Sequence, residues 1–211
     1  FVRDIVYQAL DRDWKRYRLL RPRLLPVHIC DFLLGSFKKY RKGASWKRNS
    51  FVETVVTDKH LRAWCAFLET DCDFLICFED DAVFKDDSAQ RVTDLLDTLS
   101  WRHLDQLVYV DLAGGCRFDE LEIDRLELTR DHLFRFYSKP VTNTACAYLM
   151  SRPLVMSFHE LITRRPWLRL IGIDWMMNKL FVIMAKNGIE CACMHADPTI
   201  FKHGTTTGDY V

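Results

Sequence analysis

Several features that would assign the sequence to a special class of protein are missing. Its 211 residues contain no internal repeat and no low-complexity tract. No apolar run approaches the roughly 20 residues that a membrane-spanning helix needs, and no signal-peptide pattern opens the sequence. Hydrophobic residues at 49% and charged residues at 28% are ordinary values for a folded domain. These observations exclude collagen-like, coiled-coil and disordered chains, and they leave a globular protein with one sizeable core.

The eight cysteines also lack the spacings of metal sites and disulfide frameworks. None belongs to a C-x-x-C pair or to a zinc-like Cys/His spacing, and Cys77 and Cys146 stand inside apolar runs. Small buried thiols pack well, and they stay reduced in the cytosol. We therefore expect reduced, mostly buried cysteines and a cytoplasmic protein.

Charge is distributed unevenly along the chain, although the net charge is only +1. Residues 1–50 contain 13 Lys and Arg against 4 Asp and Glu, a net of +9, whereas residues 51–211 contain 17 against 25, a net of −8. The basic segment predicts either a solvated helix or a surface that faces something anionic, such as a phospholipid membrane or a nucleotide phosphate. We favour a solvated helix or a membrane surface over nucleic acid.

The most informative stretch is DFLICFEDDAVF, residues 73–84. Its apolar run is too short for a helix and predicts a buried strand. Glu79, Asp80 and Asp81 follow at the carboxyl end, where open α/β sheets bind ligands. Three neighbouring carboxylates repel one another unless a cation offsets their charge, and oxygen ligands suit Mg²⁺ or Mn²⁺. The alternative is a solvated acidic turn or the cap of the next helix.

The rest of the chain alternates helical and strand-like patterns. Apolar spacing predicts helices at residues 2–19, 56–70, 88–99, from 152 and from 174, and strands at 107–110, 141–151 and 189–194. Thr57 or Asp58 is the expected cap of the second helix. Residues 116–135 are expected to form an exposed excursion, and the tail after residue 196 a loop. Two strands that end in acid, with a helix between them, predict that Asp111 and the acidic triplet share one edge of a mostly parallel α/β sheet.

Three segments, in order, resemble glycosyltransferase family 25, the lipopolysaccharide galactosyltransferase-like enzymes. KHLRAWCAFLETDCDFLICFEDDAVF resembles its core motif, in which a helix carrying His and Ala-Trp precedes a strand ending in Glu-Asp-Asp. TNTACAYLMSR resembles its Ala-x-x-Tyr-Leu-x-Ser-Arg segment, and GIDWMMN resembles its later aspartate-containing helix start. The resemblance covers residues 54–204. The family's opening strand is not recognisable in residues 1–50.

The resemblance implies a GT-A fold, Rossmann-like, at residues 51–211, with residues 1–50 as a basic helical segment that is part of it or appended to it. It implies metal-dependent, inverting transfer of a hexose, galactose or glucose, from a UDP-sugar donor. The acceptor would be a glycan or glycolipid of the bacterial surface: lipopolysaccharide, lipooligosaccharide or capsule. Such an enzyme would act in the cytoplasm, at the inner face of the inner membrane. The alternatives are a Mg²⁺-dependent phosphohydrolase or nuclease and a module that binds sugar nucleotide or glycan without turnover.

The resemblance also implies roles for the acidic triplet. Glu79 and Asp81 would hold Mn²⁺ or Mg²⁺ on the donor diphosphate, and Asp80 would contact the ribose or the donor sugar. Asp174, at the start of an apolar helix, is the candidate base that takes the acceptor proton, with helix capping as the alternative. His203, in a Gly-rich tail, is a third metal ligand or a phosphate contact, with a surface histidine as the alternative.

The remaining candidates surround these residues in the predicted fold. Lys202 would bind the diphosphate, unless it is a solvated lysine. Thr142, Asn143 and Thr144 would read sugar hydroxyls or simply begin a strand. The other expectations concern His60 in a supporting role, Asp111 holding the Gly114-Gly115 turn, Trp64 in the core, and Trp167 and Trp175 in the acceptor site.

Overall fold

The computed structural model describes residues 51–102, 106–115, 125–128, 134–137, 142 and 144–208. Predictions for residues 1–50, including the helix at residues 2–19 and the separate basic segment, lie outside the described residues. The same holds for Asn143.

The described elements include the helices and strands that the sequence predicts after residue 51, together with further strands. The helices are α1 (Phe51–Leu68), α2 (Ser88–Arg102), α3 (Arg152–Arg164), α4 (Ile173–Lys186) and the short α5 (Gly204–Thr207), with a 3-10 helix at Pro166–Leu170. The strands are β1 (Phe74–Phe78), β2 (Ala82–Phe84), β3 (Val108–Asp111), β4 (Arg125–Leu128), β5 (Phe134–Tyr137), β6 (Ala147–Ser151), β7 (Ala192–Ala196) and β8 (Phe201–His203).

The main sheet is mixed, with the strand order β1-β6-β3-β7-β5-β4. The α/β class is therefore confirmed, but the prediction of a mostly parallel sheet was wrong. Within the described sheet, β3 and β7 pair in parallel, and the other four pairings are antiparallel. Two of these pairings are due to β6, which lies between β1 and β3. Its first residues lie beside the last residues of both strands, so it is antiparallel to each of them.

The position of β6 still leaves β1 and β3 pointing in the same direction. The Glu79 amide donates to the Cys146 carbonyl at 2.8 Å, and the Leu112 amide donates to the Ala147 carbonyl at 2.9 Å. The carboxyl ends of β1 and β3 thus both lie beside the start of β6. The prediction that the acidic triplet and Asp111 share one edge is confirmed.

Three predicted boundaries were wrong. Thr57 lies inside α1 and does not cap it; its hydroxyl donates to the Ile171 carbonyl at 3.1 Å, which ties α1 to the approach of α4. Residues 116–135, for which no regular element was predicted, contain β4 and the start of β5, which extend the sheet beyond β7. The expected tail loop contains β8 and α5, because β8 finds a partner in β2.

The two faces of the sheet carry two apolar clusters. Tyr109 and Tyr148 point to the cluster formed with α1, α3 and α4, whereas Val110 and Leu149 point to the cluster formed with α2. This alternation is the period of two that a strand buried on both faces requires. Among the described helices, none combines the length and the apolar character needed to cross a membrane.

Candidate functional site

A small second sheet brings the acidic triplet to the C-terminal part of the chain. β2 and β8 pair antiparallel, with Ala82 opposite His203. The Gly204 amide donates to the Asp81 carbonyl at 2.8 Å, which extends the pairing to the residue that precedes β2. The backbone therefore fixes Asp81 beside His203, although sequence spacing relates neither residue to the other.

Asp81 is the most enclosed carboxylate of the triplet, with 7% of its surface exposed. Its Oδ2 lies 3.0 Å from His203 Nε2 and accepts a hydrogen bond of 2.5 Å from the Thr205 hydroxyl. Burial opposes ionisation, but the Thr205 hydrogen bond and the His203 charge outweigh it, and the pKa of Asp81 lies below its usual value. Its Oδ1 is buried without a hydrogen-bond partner, so one lone-pair-bearing atom remains available to a ligand.

Cys146 completes a cluster with these two residues. One ligand atom from each of Asp81, Cys146 and His203 lies within 4.8 Å of the others. Among the residues that the structure describes, this is the one group of three such side chains positioned to hold a metal ion. The sequence interpretation treated Cys146 as a packing residue, because no spacing links it to residues 81 and 203.

Glu79 has a different partner from the one predicted by the resemblance. Its Oε1 lies 3.1 Å from His60 Nε2, and it does not belong to the cluster of Asp81, Cys146 and His203. His60 Nδ1 lies 2.7 Å from the Tyr148 hydroxyl, which also accepts a 2.9 Å hydrogen bond from Trp64 Nε1. This chain of hydrogen bonds connects Glu79 through α1 to the core. Contacts on the core side therefore fix the orientation of the Glu79 carboxylate.

The charge of His60 follows from this environment. Burial disfavours the charged ring, but its contacts with Cys77 and Glu79 outweigh that penalty and raise the pKa of His60 to about 9. At neutral pH His60 is therefore charged and forms a partly buried ion pair with Glu79. The expected supporting role of His60 agrees with this geometry.

Asp174 is not a helix cap. Gly172 is the N-cap of α4, no side-chain cap hydrogen bond is present there, and Asp174 is the second helical residue. Asp174 Oδ1 is buried without a hydrogen-bond partner. Burial and the Glu79 charge raise the pKa of Asp174 to about 6, while His60 and His203 limit the rise. Because the charges of Glu79, His60 and His203 all act on this carboxyl, Asp174 lies near the acidic strand end.

Thr142 makes hydrogen bonds to the first turns of α4. Its amide donates to Asn178 Oδ1 at 2.8 Å, and its hydroxyl lies 3.4 Å from the Asp174 carbonyl. Thr142 is 4% exposed, and this burial gives it a structural contact in addition to any role toward sugar hydroxyls. Its hydrogen bonds hold the helix turn that presents Asp174.

The turn after β3 packs tightly against the site. Asp111 Oδ1 accepts a 2.7 Å hydrogen bond from the Gly114 amide, so the predicted role of Asp111 in this turn is confirmed. A Cβ on Gly115 would lie 2.2 Å from Thr144 Cγ2 and 3.2 Å from His203 Nδ1. Thr144 has a positive φ of 75°, which is costly for a β-branched residue. The absence of a side chain at residue 115 thus allows Thr144 and His203 to approach the turn.

The remaining candidates lie at the rim or in the core. Asp80 and Lys202 are exposed, and Lys202 pairs with Val83 across the small sheet. Trp175 is 64% exposed beside Asp174, whereas Trp167 packs against the larger apolar cluster. Trp64 is 1% exposed, which confirms its assignment to the core.

Two exposed phenylalanines flank the acidic triplet. Phe78 is 43% exposed and Phe84 63% exposed, and both rings rest on buried Phe201, with centroid distances of 4.9 and 4.8 Å. Aromatic rings of this kind offer a stacking surface for a base or a sugar. The sequence interpretation treated Phe78 as a buried strand residue and did not predict this surface.

No protein-family model matches the sequence, and no curated protein is significantly similar to it.

Proposed function

We propose that the protein is a metal-dependent, inverting hexosyltransferase of GT-A type that uses a UDP-sugar donor and a bacterial surface glycan as acceptor. The observation that carries the proposal is the combination of two carboxylates with different environments, Asp81 after the end of β1 and Asp174 in the first turn of α4. Asp81 has a lowered pKa and a histidine partner, whereas Asp174 has a pKa of about 6 and a buried oxygen without a partner. Transfer from a sugar nucleotide needs one group for each role, a cation ligand and a base.

The donor diphosphate would bind at the Asp81 side of the site. The buried, unpartnered Oδ1 of Asp81 and the adjacent His203 ring fit a divalent cation, since carboxylate oxygen suits Mn²⁺ and neutral imidazole is a common metal ligand. A bound cation would neutralise the negative charge that develops on the departing nucleoside diphosphate. Exposed Lys202 and Asp80 border the same turn, where they would contact the diphosphate and the ribose.

The acceptor would bind at the Asp174 side. As the acceptor oxygen bonds to the anomeric carbon, the bond from that carbon to the phosphate oxygen of the donor breaks, and the acceptor proton passes to Asp174. A carboxylate with a pKa of about 6 is ionised at neutral pH and still basic enough to accept this proton. Exposed Trp175, the next residue in α4, offers an aromatic face for an acceptor sugar.

Glu79 would contribute to the reaction mainly through its negative charge and its fixed position near Asp174. Its ion pair with His60 holds a negative charge near Asp174, and that charge helps to raise the pKa of the base. A nuclease or phosphohydrolase with two metal ions would need further carboxylates at this edge. Asp111 is the nearest other candidate, and its Oδ1 is engaged by the Gly114 amide, so we favour sugar transfer.

Binding and turnover of nucleotide sugars test the proposal. We expect the full chain to bind UDP in the presence of Mn²⁺, to release it with EDTA, and to hydrolyse or transfer one member of a panel of UDP-hexoses. Cleavage of nucleic acid or phosphomonoesters without UDP binding would contradict the proposal. Tight UDP binding with no turnover of any donor would identify a binding module instead.

A further inference from the structure

The thiol of Cys146 occupies a defined position beside Asp81 and His203. Cys146 is fully buried, with 0% of its surface exposed. Its carbonyl accepts the Glu79 amide, and its neighbour Ala147 pairs with Phe78. The hydrogen bonds of the main sheet, rather than a loop, therefore set the place of the thiol.

The other two side chains are held just as firmly. Thr205 and the Gly204 amide fix the side chain and the carbonyl of Asp81, and His203 is the last residue of β8. The unpartnered Oδ1 of Asp81 is a buried acceptor, and a buried carboxylate oxygen is costly to leave without a hydrogen bond or a cation.

We infer that Asp81, Cys146 and His203 form a three-ligand site for a borderline divalent cation such as Zn²⁺ or Co²⁺, with the Cys146 thiolate as a direct ligand. The inference concerns the same Asp81 and His203 that the proposed function assigns to the donor cation, and it adds which cation these side chains bind most tightly; its test does not require sugar transfer. One carboxylate, one imidazole and one thiolate leave an open fourth position, the arrangement of a catalytic rather than a purely structural site.

The separations of the ligand atoms are consistent with such a site. In a tetrahedral zinc site with bonds of about 2.0–2.3 Å, neighbouring ligand atoms lie about 3.5 Å apart. The three ligand atoms here lie within 4.8 Å of one another. Side-chain rotations that move these atoms by about one ångström would bring them to the separations of a bound site. Binding is an exchange in which the thiol proton leaves to solvent and the sulfur electron pair forms the bond to the metal.

The thiolate decides the preference among cations. A soft sulfur ligand favours Zn²⁺ and Co²⁺, whereas Mg²⁺ prefers oxygen ligands and retains its water. The affinity order along the first-row metals also puts Mn²⁺ below Co²⁺ and Zn²⁺. We therefore expect the site to take Zn²⁺ or Co²⁺ more tightly than Mn²⁺, and Mg²⁺ most weakly.

Titration of the full chain with Co²⁺ under reducing conditions tests the inference. A cysteine thiolate bound to Co²⁺ gives a ligand-to-metal charge-transfer absorption in the near ultraviolet, and tetrahedral Co²⁺ gives intense visible bands. We expect both to appear, to saturate at one Co²⁺ per chain, to disappear on addition of Zn²⁺ and to persist in excess Mg²⁺. In Cys146→Ser the charge-transfer absorption should be lost. It should remain in Cys65→Ser, the matched control, because Cys65 is an exposed thiol on α1.

The outcomes separate this inference from the proposed function. No charge-transfer absorption in the parent, or an unchanged one in Cys146→Ser, would overturn the inference and leave Mn²⁺-dependent UDP binding as an independent result. The expected absorption in a protein that binds no nucleotide would support the site and contradict the proposed function. Cys146→Ala and His203→Ala provide second variants. If both keep the far-ultraviolet circular dichroism of the parent and both keep its Zn²⁺-induced rise in melting temperature, the inference is wrong.

Discussion

At the scale of single residues, burial gives Asp174 a property that an exposed carboxylate lacks. It keeps its negative charge in a site that already contains Glu79, and its pKa rises to about 6 as a result. A base of this strength accepts a proton readily, and it is ionised at neutral pH. The same burial that makes Asp174 chemically useful also makes its charge costly to the fold.

We expect Asp174→Asn to lower turnover by roughly 10²–10⁴, the usual contribution of general-base catalysis. In the parent, kcat/KM should fall as the pH drops below about 6, because protonated Asp174 cannot take the acceptor proton. Steady-state kinetics with the preferred donor measures both effects, and UDP affinity should stay unchanged as a control. An Asp174→Asn variant that transfers sugar at the parent rate would move the search for the base to Asp80, Asp111 or Asp197.

The stability of the same variant should change in the opposite direction. The folded-state pKa of Asp174 is raised from 3.8 to about 6, so the unfolded chain releases this proton first and the group destabilises the fold as pH rises between those values. The difference of about two pKa units corresponds to about 3 kcal/mol, which applies above pH ~6. We expect Asp174→Asn to unfold at higher urea concentration than the parent at pH ~8.

The advantage of Asp174→Asn should shrink as the pH falls below ~6 and disappear near pH ~3, below the unfolded-state value of 3.8, where the parent carboxyl is protonated in both the folded and the unfolded state. Equal urea midpoints of the two proteins at pH ~8 would show that Asp174 is not held in a destabilised charged form. The measurement is made without added metal, so that no bound cation changes the charge balance.

Asp81 follows the end of β1 and contacts the C-terminal part of the chain through His203 and Thr205. We expect Asp81→Ala to abolish Mn²⁺-dependent UDP binding, because the substitution removes a ligand from a site assembled around the cation. Isothermal titration with and without EDTA measures the effect, and Asp97→Ala, an exposed residue of α2, is the matched control. Unchanged Mn²⁺-dependent affinity in Asp81→Ala would remove this residue from the metal site.

At the scale of elements, the site forms where the ends of β1 and β3 and the start of β6 lie close together. The turns that follow β1 and β3 complete it. β1 and β3 end beside the start of β6, and the β2–β8 pair adds the C-terminal residues. The turn at Gly114 and Gly115 packs between β3 and this small sheet, in contact with Thr144 and His203. The close approach of backbone segments here, rather than a flexible side chain, determines the geometry.

A side chain at residue 115 should disrupt this meeting point. A Cβ would lie 2.2 Å from Thr144 Cγ2, so we expect Gly115→Ala to cost about 1–3 kcal/mol through overpacking and to weaken metal binding by displacing His203. Gly188→Ala is the matched control, since a Cβ there meets nothing within 4 Å and only its φ of +70° is unfavourable. Urea unfolding and metal titration measure the two effects.

A second substitution distinguishes overpacking from a general loss of stability. Thr144→Gly removes the atom that the new Cβ would meet and relieves the positive φ at that residue. The double variant Gly115→Ala/Thr144→Gly should therefore recover stability relative to Gly115→Ala alone. A double variant that is less stable than either single one would contradict the proposed contact.

At the scale of the whole molecule, the uneven charge remains the feature with the widest consequence. Residues 1–50 have a net charge of +9 and residues 51–211 a net charge of −8. We expect the full chain to bind vesicles that contain anionic lipid and to dissociate as salt screens the attraction. Vesicle sedimentation over a range of salt concentrations measures this association.

The basic segment, rather than the domain, should carry this binding. Replacing Lys38 and Lys39 with Gln should weaken binding by about 1 kcal/mol per charge where each lysine lies near the membrane surface. The same change at Lys179 and Lys186, which are exposed on α4, should have little effect. Equal partitioning of the parent onto neutral and anionic vesicles would remove the membrane hypothesis.

The amino-acid sequence by itself determined the order and type of the elements that depend on local periodicity. The helices at α2, α3 and α4 and the short strand β1 follow from the spacing of apolar residues, and Pro153 stands in the first turn of α3. The prediction that β1 is buried was wrong: it is an edge strand of the described main sheet, and Cys77 alone of its five residues is buried. The same local pattern placed the acidic triplet at a strand end and Asp174 at the first turn of α4. The period of the apolar residues also assigned Trp64 to the core.

Only the tertiary structure decided how the strands pair and which side chains meet. Periodicity contains no information about partners, so it did not predict that β6 enters between β1 and β3 or that β8 pairs with β2. These two pairings place Cys146 and His203 near Asp81, whereas Glu79 forms an ion pair with His60. Residues far apart in sequence become ligands of one site because backbone hydrogen bonds between strands, not sequence spacing, set the distances between them.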